Sequence, residues 1–406
     1  MTYEQATEWL FNQFPSYQQI GQGAYKPGLD NILELCMQLG NPHDKLKFIH
    51  VAGTNGKGSV SNMLASILTE SGEKVGLFTS PHLFDFNERI RINGIPIEQQ
   101  FVIKFCEKVQ SFKYENLSFF ELTWGMALSY FQEKNCSIAV VETGLGGRLD
   151  ATNIITPLLS IITNIGLDHT ALLGNTRQQI AFEKAGIIKP GIPILIGEND
   201  IETFPVFEKI AREKKSKLSI APPLSHFPTT IIGYQKENFS IVKEACNLLN
   251  GTLKISKHSI TKGLANLKKN TGFFGRLEII SKSPLIIADC AHNTEGIKVL
   301  FESINPLIKG NLHCIYGTSA DKDVAKIAYL FPQNAQFYFT CFSNQRSMKL
   351  GQLQEMFGNT FENAHFFENP IAALKSAQES VSKEDTILIF GSFFLIHDFF
   401  EYFFQK

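Results

Sequence analysis

The 406-residue sequence predicts an α/β protein. Its N-terminal part should be a doubly wound, mostly parallel sheet domain of P-loop type, followed by a smaller, Rossmann-like α/β domain. Three observations predict this. Short apolar runs alternate with stretches of helical period, one of those runs ends in a glycine-rich turn bearing a lysine, and the alternation breaks near 271–283 before it restarts. The expected domains are therefore 1–270 and 284–406, joined by a linker at 271–283.

In chain order, Lys47–Ala52 (KFIHVA) reads as a strand running into Gly53. In Ser59–Thr69, Val60, Met63, Leu64, Ile67 and Leu68 recur at helical spacing. Lys74–Phe78 is the next strand, and Ser80–Ile97 a polar excursion with proline and asparagines. Gln99–Gln110 and Phe119–Glu133 have helical texture. Ser137–Glu142 and Leu158–Asn164 are apolar strands that end in polar residues, Asn175–Gly186 a helix and Ile192–Ile196 a strand. After the glycine-containing stretch TGFFGRLEIISKSP, the strand candidates are Leu285–Ala288, Leu312–Tyr316, Gln336–Phe342 and Thr386–Phe390. The apolar end of the chain, Ile387–Phe404, is interrupted by Gly391, Ser392, His397, Asp398 and Glu401, and reads as a buried strand followed by a helix.

Composition narrows the function. A net charge of −1 supplies no global field for nucleic acid or an anionic membrane, so an anionic ligand needs a local site. No run reaches the apolar length of a membrane span, and no secretory leader is expected from MTYEQATEWLFNQF. The seven cysteines are scattered without CxxC spacing, which argues for reduced thiols in the cytoplasm and against a zinc site. The 35 phenylalanines read as packing.

The strongest local motif is Gly53-Thr54-Asn55-Gly56-Lys57-Gly58-Ser59, between a strand and a helix. Glycines let backbone amides approach phosphate oxygens, the lysine supplies a point charge, and the helix N-terminus adds its dipole. The motif departs from GxxxxGK[ST]: Val51 stands at the first glycine position and Gly58 follows the lysine. It predicts a nucleoside triphosphate site. Glu142 ends an apolar strand, and a carboxylate emerging there suits Mg²⁺. His169 follows a further strand, and Glu183-Lys184 closes a helix, where a charged pair ordinarily faces solvent. Asp289-Cys290-Ala291-His292-Asn293 ends another strand, and from the residues alone it reads as a turn or as a nucleotide contact.

Taken in order, HVAGTNGKGSV, LFTSPHL with NERIRING, VVETGLGGRLDATN, TNIGLDHT, EKAGIIKPG, GRLE and DCAHN resemble the folylpolyglutamate synthase/dihydrofolate synthase family, within the wider Mur ligase group. The resemblance spans nearly the whole chain. It implies that ATP phosphorylates a pterin-linked carboxylate, that the amine of L-glutamate attacks the acyl phosphate, and that ADP and phosphate are released. It further implies that Asn55, Gly56, Lys57, Gly58 and Ser59 hold ATP phosphates, that Ser80 and Glu142 ligate one Mg²⁺, and that His169 ligates a second. Lys184 matches a lysine that the family carbamylates. Lys57, His169 and Lys184 thus form the expected catalytic set. Phe119, Phe120, Glu121 and Leu122, with Leu149, Asp150 and Ala151, match segments that contact the pterin. Arg89 and Arg91 are candidates for the substrate's carboxylates. Asn238, Arg276 and Asp289 match ATP contacts, with His292 a further one, which would put the nucleotide between domains. The junction reads Phe274-Gly275-Arg276 where the family carries proline before the glycine.

The implied partners are small molecules only: dihydropteroate or folate, L-glutamate and ATP, handled by a cytoplasmic monomer without nucleic acid or membrane. The Leu149–Ala151 run favours both synthase activities in one chain. Two other readings stand beside this one. A Mur-type amide ligase for another carboxylate would carry an added N-terminal domain, against the 52 residues before Gly53. A nucleotide switch that hydrolyses ATP without ligation would have no use for a second metal site.

Overall fold

The computed structural model describes residues 1–14, 23, 26–112, 117–322, 324–361 and 363–404. Among them the chain forms two compact units, residues 1–231 with 235–273, and residues 232–234 with 274 onward.

The first unit is built on one sheet of eight strands: β1 (Phe48–Ala52), β2 (Val75–Phe78), β3 (Ile90–Ile92), β4 (Ile95–Pro96), β5 (Ile138–Glu142), β6 (Leu159–Ile162), β7 (Ile194–Ile196) and β8 (Leu218–Ile220). Their spatial order is β4-β3-β2-β5-β1-β6-β7-β8. All neighbours are parallel except β2/β3 and β3/β4. The central strands read as unbroken apolar runs because helices cover both faces, so every residue of β1 and β5 is buried. Register matters more for the site. Val51 pairs with Glu142, and Ala52 pairs with Ile162, so the ends of β1, β5 and β6 lie level and their following loops emerge together.

The helix Lys57–Glu70 is buried continuously from Ser59 to Leu68. One side packs on the sheet, and the helices Gln235–Leu249 and Lys257–Ala265 pack against it as well. At the second contact a Cβ on Gly263 would lie 2.6 Å from Ile67 Cα, and Ser66 Oγ donates to Gly263 O at 2.6 Å. Only glycine permits that approach.

The second unit carries β9 (Glu278–Lys282), β10 (Leu285–Asp289), β11 (Leu312–Tyr316), β12 (Gln336–Thr340), β13 (His365–Phe367) and β14 (Thr386–Phe390), in the order β13-β12-β11-β14-β10-β9. β9 is antiparallel to β10 and the rest are parallel. The stretch 271–283, read from the sequence as a linker, thus contributes a sheet strand, because β9 covers the edge of β10. Phenylalanines fill this core: Phe339 stacks on Phe357 at 4.1 Å, and Phe331 on Phe337 at 5.0 Å. Ile387–Phe404 is β14 followed by the helix Phe393–Phe404.

Candidate active site

The site of the first unit forms where β1, β5 and β6 end. After β1 the chain turns through Gly53 and Gly56, with φ of 150° and 83°. A Cβ on Gly53 would fall 1.8 Å from Thr163 Oγ1, and one on Gly56 would fall 2.3 Å from Asn238 Oδ1. The glycines are therefore required by close approach as much as by backbone angle. The segment after β6 holds the turn from outside. Asn164 O accepts from Thr54 N at 2.9 Å and its Oδ1 from Asn55 N at 2.9 Å, while Gly166 N donates to Thr54 Oγ1 at 2.9 Å.

Two lysines converge on this turn. Lys57 Nζ donates to Gly53 O at 3.0 Å and Thr54 O at 3.1 Å. Lys184, buried near the end of the helix Arg177–Ala185, donates to Gly53 O at 2.8 Å. The sequence placed Lys184 where solvated pairs are common; the structure instead turns Glu183 outward to Arg148, at 2.9 Å, and Lys184 inward. Burial, reinforced by the Lys57 charge and opposed by Asp168 and Asp150, pushes the Lys184 ammonium down to about 7.

A carboxylate faces the same turn. The Glu142 oxygens lie 3.6 and 3.8 Å from where a Cβ on Gly58 would stand, and Ser80 N donates to Glu142 Oε2 at 3.3 Å. One hard carboxylate beside a serine and a phosphate-type turn fits Mg²⁺, which completes its shell with phosphate and water. Among the described residues no group of three or more His, Cys, Asp or Glu side chains converges for a metal. His169 sits at φ 52° as the N-cap of a short turn, with its Nε2 3.7 Å from Asp168 Oδ2 and its backbone N–H on Asp168 Oδ1 at 2.9 Å.

Ser59 and Asn238 meet through Gln235, which the sequence reading missed. Gln235 Nε2 donates to Ser59 Oγ at 3.2 Å, and Asn238 Nδ2 donates to Gln235 Oε1 at 3.0 Å. The available signal was their spacing, since residues three apart share a helix face.

The aromatic side of this unit gathers Phe119 and Phe120. Phe11 stacks on Phe119 at 4.9 Å, and the Arg89 guanidinium lies 5.2 Å from the Phe119 centroid. Arg89 is buried and donates to His82 Nδ1 at 2.8 Å; burial pushes it down to about 10, with Glu88 and Glu142 pulling the other way. Arg91 is spent on its own turn, donating to Glu88 O and Gly94 O at 3.2 Å each. Glu121 is the return half of a capping box, accepting from Ser118 N at 2.7 Å, and Leu122 is in the core. The Leu149–Ala151 segment presents no open carboxylate, because buried Asp150 accepts from Leu145 N at 2.8 Å and Thr152 N at 3.0 Å. The helix Tyr3–Gln13 joins this side: Tyr3 OH lies 2.8 Å from Asp85 Oδ1 and 2.7 Å from Asn87 Oδ1.

In the second unit, Asp289 ends β10 and accepts from Tyr234 OH at 2.6 Å, Leu277 N at 2.7 Å and Ala291 N at 2.8 Å. Burial raises its carboxyl above the usual range, against the nearby Arg276. The Arg276 guanidinium lies 4.8 Å from the Phe393 centroid, and His292 Nδ1 is 2.9 Å from Cys290 O.

A doubly wound sheet whose first strand ends in a glycine turn bearing a lysine, with a carboxylate facing it, fits a nucleotide-dependent enzyme class, and family models agree on which one. The Mur ligase middle domain matches residues 51–256, and the Mur ligase glutamate ligase domain matches residues 275–393. The chain is 33% identical to the dihydrofolate synthase/folylpolyglutamate synthase of Buchnera aphidicola subsp. Schizaphis graminum, over 97% of this chain and 96% of that one. It superposes on E. coli FolC in complex with DHPP and ADP with TM-score 0.88 and 28% identity, covering 100% and 98% of the two chains. The Yersinia pestis bifunctional folylpolyglutamate synthase/dihydrofolate synthase, complexed with AMPPNP and Mn ion, gives TM-score 0.86 and 26% identity, covering 100% and 98%. The chain belongs to the dihydrofolate synthase/folylpolyglutamate synthase family, and is a ligase that forms amide bonds.

Proposed function

We propose that this enzyme uses ATP and a divalent cation to join L-glutamate to the carboxylate of dihydropteroate, of folates, or of both. The observation that carries the proposal is the convergence of Lys57, Lys184 and Glu142 on the Gly53–Gly58 turn.

A carboxylate resists amines because its oxygen is a poor leaving group. Its oxygen attacks the terminal phosphorus of ATP, ADP leaves, and the acyl phosphate so formed takes the glutamate amine at the acyl carbon. The tetrahedral intermediate then expels phosphate. Asn55–Ser59 hold the phosphates through backbone N–H groups and the helix N-terminus. Lys57 exchanges the carbonyls of Gly53 and Thr54 for terminal phosphate oxygens. Glu142 and Ser80 would hold one divalent cation and His169 a second, and these would supply charge neutralisation when bound. Lys184, buried against the same turn, is the residue proposed for carbamylation, which would turn a repelling ammonium into an anion. Asn238 supports the nucleotide from the first unit; Arg276, Asp289 and His292 are proposed nucleotide contacts of the second.

For the acceptor, Phe119–Leu122, Leu149–Ala151, Arg89 and Arg91 are proposed as the pterin and carboxylate side. The hydrogen bonds described above fit Glu121, Asp150 and Arg91 to shaping the backbone around Phe119, Phe120 and Arg89. The reading makes the enzyme a cytoplasmic monomer acting on small molecules. All seven cysteines being free thiols supports the compartment, and no helix among the described residues is long and apolar enough to cross a membrane.

Phosphate release tests the proposal. It should require ATP, L-glutamate and a pteroate-type acceptor together. ATP turnover with neither co-substrate would favour a nucleotide switch, and turnover restricted to another carboxylate acceptor would favour a different ligase.

A further inference from the structure

His50 lies in the middle of β1, three residues before Gly53, and its side chain is wholly buried. Its Nε2 is 2.8 Å from Thr152 Oγ1, and the Thr152 hydroxyl donates to the Asp150 carboxylate. A hydroxyl has one proton, and here the carboxylate takes it, so His50 must supply the proton of the other bond. His50 is therefore the neutral tautomer protonated on Nε2. Its Nδ1 is then a bare lone pair, and that atom has no partner among the described residues. Burial agrees, holding the imidazole down at about 3.

This polar chain crosses a core of Phe48, Phe78, Trp124 and Ala151. Removing one partner of such a chain leaves the other buried and unpaired, which destabilises the fold as well as the loop. What the chain fixes is a loop. The other Asp150 oxygen accepts from Leu145 N, three residues after Glu142, and Gly144 lies under the Phe120 ring so closely that a Cβ there would stand 2.6 Å from Phe120 Cζ.

We infer that His50 and Thr152 are positioning residues for the acceptor: through Asp150 they set the Gly144–Leu145 turn against Phe120. The inference rests on the proposed function. Gln at position 50 keeps an N–H near the place of Nε2, Phe fills the space without one, and Thr152→Val deletes only the linking hydroxyl.

In glutamate ligation, His50→Phe and Thr152→Val should each raise KM for the pteroate or folate acceptor roughly tenfold, the worth of about one hydrogen bond. KM for ATP should stay near wild type while the melting temperature falls by a few degrees, because one buried partner is left unpaired, and His50→Gln should recover most of the acceptor affinity. Hydrogen exchange at the Leu145 amide should quicken in Thr152→Val. That second readout needs no activity, so a wild-type chain that fails to ligate glutamate would sink the functional reading while leaving the relay testable. An unchanged acceptor KM in Thr152→Val, or ATP and acceptor KM rising together, would overturn the assignment. Should His50→Phe fail to fold, Thr152→Val decides alone.

Discussion

Replacing Gly56 by alanine tests how far the phosphate turn depends on close packing. Two costs are legible. The backbone there has φ 83°, and a left-handed conformation costs an L-residue about 1–2 kcal/mol. The new methyl would also stand 2.3 Å from Asn238 Oδ1 and 3.4 Å from its Cγ, so the buried Asn238 amide must swing away. That move breaks its 3.0 Å bond to Gln235 inside the protein, at about 1–3 kcal/mol when both ends stay buried. The sum is about 2–5 kcal/mol. At roughly 2–4 °C per kcal/mol for a domain of this size, the melting temperature should fall by roughly 4–20 °C. Two control glycines isolate the contributions. Gly191 has φ 73° and nothing within 4 Å of its absent Cβ, so Gly191→Ala should show the backbone cost alone. Gly251 has open space and no left-handed backbone, so Gly251→Ala should be silent. Melting followed by circular dichroism ranks the three. Gly56→Ala melting no lower than Gly191→Ala would refute the packing argument.

Glu142→Ala should lower kcat by about two to three orders of magnitude with an unchanged melting curve, because it removes the carboxylate proposed for the metal; steady-state rates near wild type would remove that role. Lys184→Ala should be inactive and partly restored by added short-chain carboxylates, and absence of rescue in a titration would leave carbamylation without support. The same lysine predicts a pH dependence. Its folded value near 7 lies below the 10.5 of an exposed lysine, so the unfolded chain binds the extra proton between those values. Burial of Lys184 therefore costs most at and below pH 7, and the cost fades as pH rises towards 10.5. In carbon dioxide-free buffer, Lys184→Met should exceed wild type in urea midpoint at pH 6.5, with the gap narrowing by pH 9.5; a constant gap would contradict the buried-ammonium account.

Much of the fold was legible because parallel strands covered on both faces must be apolar throughout. β11 and β14 fall on the residues the runs marked, and the helix Phe119–Glu133 does likewise. The strands that escaped are short and peripheral: β3, β4, β8 and β13 have two or three residues each, too few for a period to show. β9 was hidden by the glycine-rich texture around it. At the site, spacing along the chain displayed the lysine turn and Glu142 but not side-chain direction. Asp150 and Asp289 stand out as carboxylates in sequence, but only the structure shows each of them accepting from two backbone N–H groups and one side-chain hydroxyl. His50 is the converse case. A lone histidine in an apolar strand reads as core, and only the contact with Thr152, 102 residues away, shows it joined to a loop of the site.

The measurement that tests the central claim most directly is incorporation of labelled L-glutamate with ATP, run in parallel on dihydropteroate and on a reduced folate. The account predicts ATP-dependent amide product with at least one acceptor and stoichiometric ADP and phosphate, the pair of results fixing which synthase activities the chain has. No incorporation on either acceptor, alongside steady ATP hydrolysis, would contradict it.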